Sequence, residues 1–390
     1  MTEQIQNQGP GECSIKERPQ NLEVDQAIAA AVTGRVVVAM SGGVDSSVTA
    51  AILARQGYDA VGISMRLYST PQESYTKSCC SPDDLFDARA VADSLEIPFY
   101  VANYEDEFQQ RVIDYFVGEY RRGRTPNPCV ACNDHLKFDI LLKRSLALGA
   151  KFLATGHFAR IDRSGEEPKL LRGLDRNKDQ SYFLFGLPRQ ALGRILFPLG
   201  EMTKADVRVI ARELGLETAE KPESQEICFV GGGDYKEFVA DLLADGESTP
   251  GKIVTDSGEV LGEHEGIHNF TVGQRRGLGI SYHEALYVKS IDPDDGTVVV
   301  GGQDGLLARG LIAERCNWLS FDRPPGPLEC GVKIRYAGEP VPALVTVGAD
   351  ATTAFVEFEN PQRAVTPGQA AVFYRGEEVL GGGWIEESRS

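Results

Sequence analysis

An apolar run at 36–40 stops at Ser41-Gly42-Gly43-Val44-Asp45-Ser46, and a helical pattern continues from 46 to about 56. The same order recurs down the first half of the chain. A second apolar run at 60–65 is followed by helical spacing at 83–95, with acidic residues in the first turn, where the helix dipole favours them. A third strand at 98–103 leads into an amphipathic helix at 105–120. A helix at 142–148 precedes a short buried strand at 152–155. Strand alternating with helix implies a parallel sheet with helices on both faces.

The texture changes after about residue 233. A helix at 234–244 is followed by Gly-, Val- and Thr-rich sequence, with short strands at 287–291, 297–300, 332–336, 344–347, 354–358 and 370–374. Turns rich in Gly, Asp and Pro separate them, the signature of an antiparallel sheet or small barrel. The expected organisation is a poorly ordered lead at 1–33, an α/β parallel-sheet (Rossmann-like) nucleotide domain at 34–236, a small central domain at 237–305 and a C-terminal antiparallel β-barrel at 306–390. At 390 residues the chain is long enough for two or three domains.

No apolar run is long enough to span a bilayer, and the N-terminal stretch has neither an apolar signal core nor an Arg-rich amphipathic pattern. The expected compartment is the cytoplasm, where the eight cysteines stay reduced and need a reading other than a disulfide framework. A net charge of −17 runs against nucleic-acid binding. Two local basic groups, Arg121, Arg122 and Arg124, then Arg275 and Arg276, offset it.

The loop at 41–46 sits between strand and helix, where α/β sheets bind nucleotides. Its glycines let backbone approach phosphate oxygens, and the helix N-terminus points N–H groups at them. Ser41, Ser46 and Ser47 add hydroxyl donors, and Asp45 is a candidate magnesium contact. The Walker A lysine is missing, which excludes the usual kinase or GTPase loop. A ligand-free Gly-Gly turn is the alternative, and six consecutive residues in the right context weigh against it.

Two segments carry candidate nucleophiles. Thr125-Pro126-Asn127-Pro128-Cys129-Val130-Ala131-Cys132-Asn133 is Pro-rich and extended at its start, and Cys228 follows Ser224-Gln225-Glu226-Ile227. A thiolate is an effective nucleophile when cations or a helix N-terminus lower its pKa. Cys129-x-x-Cys132 alone reads equally as half a zinc site. A second pair is needed, and adjacent Cys79–Cys80 is poorly spaced to chelate zinc. Cys316 and Cys330 read as ordinary apolar residues, and Cys13 as inert.

The Ser-Gly-Gly-x-Asp-Ser loop resembles that of the ATP pyrophosphatase (PP-loop) superfamily, which cleaves ATP between its α and β phosphates. Taken with Gly123-Arg124-Thr125-Pro126-Asn127-Pro128, Cys132-Asn133, Ala154-Thr155-Gly156-His157, Lys178-Asp179-Gln180-Ser181-Tyr182 and Ser224-Gln225-Glu226-Ile227-Cys228-Phe229, in that order, the chain from about 35 to 384 resembles the bacterial tRNA-specific 2-thiouridylases. The resemblance implies ATP binding by Ala39, Met40, Ser41, Gly42, Gly43, Val44, Asp45, Ser46, Met65 and Gly156. It implies Cys132 as nucleophile, Cys228 as persulfide carrier, and a disulfide between them as sulfur is released. Asn127, Pro128 and Cys129 would meet the target base. His157, Lys178, Asp179, Gln180, Arg335, Tyr336 and Gln369 would contact tRNA. The implied partners are wobble-uridine tRNAs such as those for Lys, Glu and Gln, and a persulfide donor such as a cysteine desulfurase relay.

Many relatives have Asp where this chain has Cys129. Three thiols at 129, 132 and 228 open a second route, a [4Fe–4S] cluster with one open iron that delivers sulfide. An amine-using PP-loop synthetase and a non-catalytic iron–sulfur RNA-binding protein are the competing functions.

Overall fold

A computed structural model of the chain describes residues 34–68, 81–222, 227–230, 234–243 and 248–389. The lead with Cys13, the pair Cys79–Cys80, residues 224–226 of the Cys228 motif and the following glycines 231–233 lie outside them.

A five-stranded parallel sheet carries the N-terminal half: β1 (Arg35–Ala39), β2 (Asp59–Arg66), β3 (Phe99–Asn103), β4 (Phe152–Ala154) and β7 (Ile195–Leu196), in the order β3-β2-β1-β4-β7. Helices cover both faces. Val36 and Val38 of β1 point into one core with α1 (Val44–Arg55), α2 (Pro82–Ser94) and α5 (Lys204–Glu213). Val37 points into the other, with the helical stretches at 105–121 and 128–147. The alternation follows from the two-residue period of a strand.

Helix α3 runs through Glu105–Phe108, a π-helical stretch Gln109–Ile113 and Asp114–Arg121. Phe108, Val112, Phe116 and Tyr120 recur every fourth residue and are all buried. Each fully buried Phe stabilises the fold by about 1.5–3 kcal/mol. Helix α4 is built the same way, from Pro128–Cys132, a π-helical stretch Asn133–Leu141 and Leu142–Ala147. A π turn inserts an extra residue and re-aims the side chains around it.

Beyond α6 (Tyr235–Leu242), a four-stranded sheet orders as β10-β11-β8-β9, from β8 (Gly251–Thr255), β9 (Val260–His264), β10 (Tyr287–Ile291) and β11 (Val298–Gly301). It is mixed rather than purely antiparallel, because β11 runs parallel to β8. Six further strands close a barrel: β12 (Leu307–Trp318), β13 (Leu328–Lys333), β14 (Val341–Val347), β15 (Ala354–Arg363), β16 (Ala370–Arg375) and β17 (Glu378–Arg389), with β17 pairing back onto β12. Closure removes both sheet edges. The strand expected at 332–336 ends at Lys333, so Arg335 and Tyr336 lie in the bend that follows it.

One connection crosses between the halves. The hairpin β5 (Ala159–Asp162) and β6 (Lys169–Arg172) leaves the first half of the chain and joins the barrel sheet, Leu171 of β6 pairing with Glu378 of β17.

Candidate active site

The order of the parallel strands reverses about β1, so the loops leaving β1 and β4 flank a crevice at the carboxyl edge of the sheet. Such a switch point is where open α/β sheets bind ligands. The loop at 41–46 leaves β1. Gly43 caps α1 without a side-chain hydrogen bond, so the N–H groups of the first turn face outward for an anion. Ser46 Oγ accepts from Ser41 N at 3.2 Å and donates to Gly43 O at 3.0 Å, which folds the loop onto itself. Gly42 is required here: its φ is +73°, and a Cβ would lie 2.1 Å from Asp84 O. Lys221 ties the same contact together, donating to Gly42 O at 3.0 Å and Asp84 Oδ1 at 2.6 Å.

Asp45 faces the crevice, and its two carboxylate oxygens accept from Lys204 Nζ at 2.6 and 2.8 Å. Lys204 is buried at the first position of α5, behind a capping box of Thr203 and Asp206. Gly156 leaves β4 on the other side, where a Cβ would lie 2.8 Å from the Asp45 carbonyl carbon. The β4 loop and the phosphate loop therefore touch through backbone.

Between them opens a cavity of roughly 370 Å³. Ala39, Met40, Ser41, Asp45, Ser46, Met65 and Gly156 line one side. The opposite side is the start of α4, where Asn127 caps the helix by accepting from Val130 N at 3.4 Å and Pro128 takes the first helical position. Cys129 and Cys132 lie three residues apart on that helix, so they share a face. Cys228 lines the same cavity. Its neighbour Phe229 is buried, with ring centroids 5.5 Å from Phe108 and 5.2 Å from Phe116, which anchors this short segment against α3. Both π-helical stretches face inward here, supplying Val112, Asn133 and Lys137 to the wall.

The three thiols are not equivalent. Cys132 is buried at the helix end and Cys228 half-buried. Cys129 is exposed to the cavity, yet its thiol is surrounded by enough protein that desolvation pushes it up to about 11. Charge at Cys228 adds to the rise and Lys137 opposes it. Cys129 is therefore a protonated thiol near neutral pH. Among the described residues no three His, Cys, Asp or Glu side chains are grouped to hold a metal ion. Cys129, Cys132 and Cys228 line one cavity without being gathered into such a group. Cys316 and Cys330 pack against the barrel core, away from this cavity.

The positions expected to meet tRNA divide. His157 is buried in the cavity wall, its Nδ1 2.7 Å from Thr155 Oγ1, and burial holds its pKa well below the usual value, so it is neutral. Gln180 lines the cavity and accepts from Phe158 N at 3.0 Å. Lys178 is half-buried, while Arg335 and Tyr336 are exposed.

Asp179 departs from a direct contact: it is 1% exposed, and its carboxylate accepts from Arg172 Nε, Gly173 N and Ser181 N, each at 3.0 Å. Gln369 is likewise engaged inside the protein. Its Nε2 donates to Thr125 O at 3.0 Å and Pro126 O at 3.1 Å, tying the barrel to the loop that presents Cys129 and Cys132. Arg124, counted above as basic surface, pairs with Glu119 at 2.8 Å and Glu386 at 2.5 Å and is mostly buried.

Lys204, Lys221, Lys137 and Phe183 belong to this neighbourhood and carry no local motif. The Thr203…Asp206 spacing could have located the helix start. Nothing near Lys204 in sequence points to Asp45, 159 residues away.

Comparison with known proteins agrees with this geometry. Three family profiles match in succession: a tRNA methyl transferase HUP domain over residues 34–232, a tRNA methyl transferase PRC-barrel domain over 236–302 and an aminomethyltransferase beta-barrel domain over 308–385. The tRNA-specific 2-thiouridylase MnmA of Geobacter metallireducens is 54% identical over 358 residues, covering 90% of this chain and 96% of its own. That of Carboxydothermus hydrogenoformans is 50% identical over 359 residues, covering 90% and 98%. A U34-tRNA thiolase from Methanococcus maripaludis, solved with a [4Fe-4S] cluster, is 17% identical with a TM-score of 0.33 over 53% of this chain and 64% of that one, a likeness too slight to bear on the cysteines here. With a phosphate loop and paired thiols on one cavity and near-full-length relatives at half identity, the chain belongs to the tRNA-specific 2-thiouridylase family.

Proposed function

We propose that the chain is an ATP-dependent sulfurtransferase that converts the wobble uridine of tRNA, U34, to 2-thiouridine. The observation that carries the reading is one cavity that holds the phosphate loop on one wall and Cys132 and Cys228 on the others. Methyl transfer, which the profile descriptions mention, needs neither a pyrophosphate-binding loop nor thiols beside it.

ATP would lie along residues 39–46, with Met65 and Gly156 completing its site. The uracil O2 attacks the α-phosphorus, pyrophosphate leaves, and the base carries AMP on its former carbonyl oxygen. Asn127, Pro128 and Cys129 bound the space for that base, and the protonated Cys129 thiol can donate a hydrogen bond to it. The terminal sulfur of a persulfide on Cys228 then attacks C2 and AMP departs with the oxygen. The Cys132 thiolate attacks Cys228 Sγ, forming a Cys132–Cys228 disulfide, and the electron pair of the broken S–S bond stays on the sulfur left at C2. A dithiol reductant returns the disulfide to thiols, which places the reaction in the reducing cytoplasm.

Asp45, whose carboxylate also engages Lys204, would be the residue to hold magnesium beside the phosphate loop. When bound it would neutralise charge on the departing pyrophosphate. His157, Lys178, Gln180, Arg335 and Tyr336 would contact tRNA, while Asp179 and Gln369 would act by holding the segments beside them. The tRNAs for Lys, Glu and Gln are the expected substrates, and a cysteine desulfurase relay the expected persulfide donor.

The test is mass spectrometry of wobble nucleosides after incubation with ATP, tRNA and a persulfide donor. An unchanged uridine with an active donor would sink the proposal. Full turnover by Cys132→Ser and Cys228→Ser variants would favour an amine-using synthetase instead. A colourless, iron-free protein that still thiolates tRNA would exclude both the cluster route and a non-catalytic iron–sulfur role.

A further inference from the structure

Lys333 ends β13, and it is 5% exposed. Among the described residues its ammonium makes no hydrogen bond or ion pair. It lies instead over two rings, 5.5 Å from the Tyr336 centroid and 5.8 Å from that of Tyr182. Burying an ammonium without an anion is costly, and two aromatic faces return only part of its hydration. Among the described residues, the fully enclosed side-chain atoms without a hydrogen-bond partner include Asn133 Oδ1, Asp134 Oδ1, Thr218 Oγ1 and His264 Nδ1. Lys333 Nζ is not one of them, so the nitrogen keeps contact with solvent while its stem is sealed.

The surroundings single out an anion. Arg172 stands near Lys333, against the carboxylates of Asp179 and Glu339, both of which Arg172 engages at 3.0 Å. Both carboxylates are thus engaged by Arg172, and neither forms an ion pair with the Lys333 ammonium. The Tyr336 ring is 39% exposed and lies 4.6 Å from the Phe183 ring at an interplanar angle of 35°. Phe183 in turn lines the cavity that holds Cys132 and Cys228. A flat apolar surface therefore runs from the cavity wall outward to the waiting ammonium.

We infer that Lys333, Tyr336 and Phe183 form a nucleotide subsite beside the catalytic cavity: the rings take the base of a nucleotide flanking the target uridine, and Lys333 takes its backbone phosphate. The inference rests on the tRNA reading above and adds Lys333 and Phe183 to it. Base stacking on aromatic rings is tolerant of base identity, so this subsite holds the strand open rather than reading its sequence.

The test uses the full chain, a tRNA transcript with an unmodified wobble uridine, and dissociation constants over a range of salt. The Lys333→Met variant should bind about tenfold more weakly, and the slope of log affinity against log salt should fall by about 0.7, the share of one single-strand phosphate. Lys333→Arg should restore the slope. A Lys333→Met variant with the wild-type slope overturns the subsite, even if affinity changes, because a purely packing role does not alter counterion release.

Should Lys333→Met fail to fold, wild-type protein is titrated with anticodon stem-loops bearing one neutral methylphosphonate at each phosphate flanking the uridine. One position must lower the slope, and none doing so refutes the assignment. Wild-type protein that shows no salt-dependent binding of the transcript would refute the tRNA reading itself, a result distinct from either.

Discussion

Alkylation of the cavity thiols as pH is raised should find Cys129 late. Its thiol is pushed up to about 11, by desolvation first and by charge at Cys228 second. At pH 8 about one such thiol in 1,000 is ionised, against about one in four for a cysteine at its ordinary value, so reaction with iodoacetamide should be roughly two hundredfold slower. Cys330, also pushed to about 11 by burial in the barrel, is an internal standard. The causes give two further signs. Cys228→Ser removes a negative neighbour and should lower the Cys129 midpoint, whereas Lys137→Met removes a positive one and should raise it. The assay is quenched alkylation between pH 7 and 10, with each cysteine peptide quantified by mass spectrometry. Half-reaction of Cys129 below pH 9 would refute the protonated-thiol assignment and reopen a nucleophilic role for it.

Gln369→Ala strips two loop carbonyls of their donor, which costs about 1–3 kcal/mol; thiolation kcat should fall with little change in KM for ATP, and unchanged kcat would show that the tether does not set the cysteine geometry. Lys204→Met removes the ammonium that engages both Asp45 carboxylate oxygens beside the phosphate loop, and KM for ATP should rise about tenfold or more in steady-state assays. Gly156→Ala forces a methyl against the Asp45 backbone and should abolish ATP binding measured by calorimetry while leaving the melting transition of the barrel in place. Asp134 is pushed up to about 8 by burial alone. The folded state then keeps a proton that the unfolded chain releases above about pH 4, so stability from this group is lost as pH rises from about 4 to 8. Asp134→Asn should remove that part of the decline, read as urea midpoints at pH 5 and pH 8.

The legible parts of the fold were those whose signal is local. β1, the glycine loop and α1 lie within one another's sequence neighbourhood, and β10 falls on the stretch where alternation and turns predict it. β17 carries three consecutive glycines and a polar end, Glu386, Glu387, Ser388 and Arg389, so no period marks it. Its partners β12 and β6 supply the order. The hairpin β5–β6 was missed for the same reason, since membership in a distant barrel leaves no trace in eight residues of ordinary composition. At the site, the loop and the cysteines were legible as motifs. Lys204 and Lys221 were not, because a lysine acquires its meaning from the carboxylate or carbonyl that folding brings to it. The resemblance supplied Asp179 and Gln369 as positions, and the structure gives each a physical task inside the protein.

The pairing of β6 with β17 has a consequence for synthesis on the ribosome. Glu378 follows its partner Leu171 by about 200 residues, so at about 5–20 residues per second the hairpin waits roughly 10–40 s for its neighbour to be made. Barrel closure waits for the same strand, because β17 is also what β12 pairs with. A nascent chain that stalls or is cut near its C-terminus leaves two sheet edges open at once, one in the hairpin and one in the barrel. Termination before β17 is complete should therefore yield an aggregating product rather than a shortened enzyme.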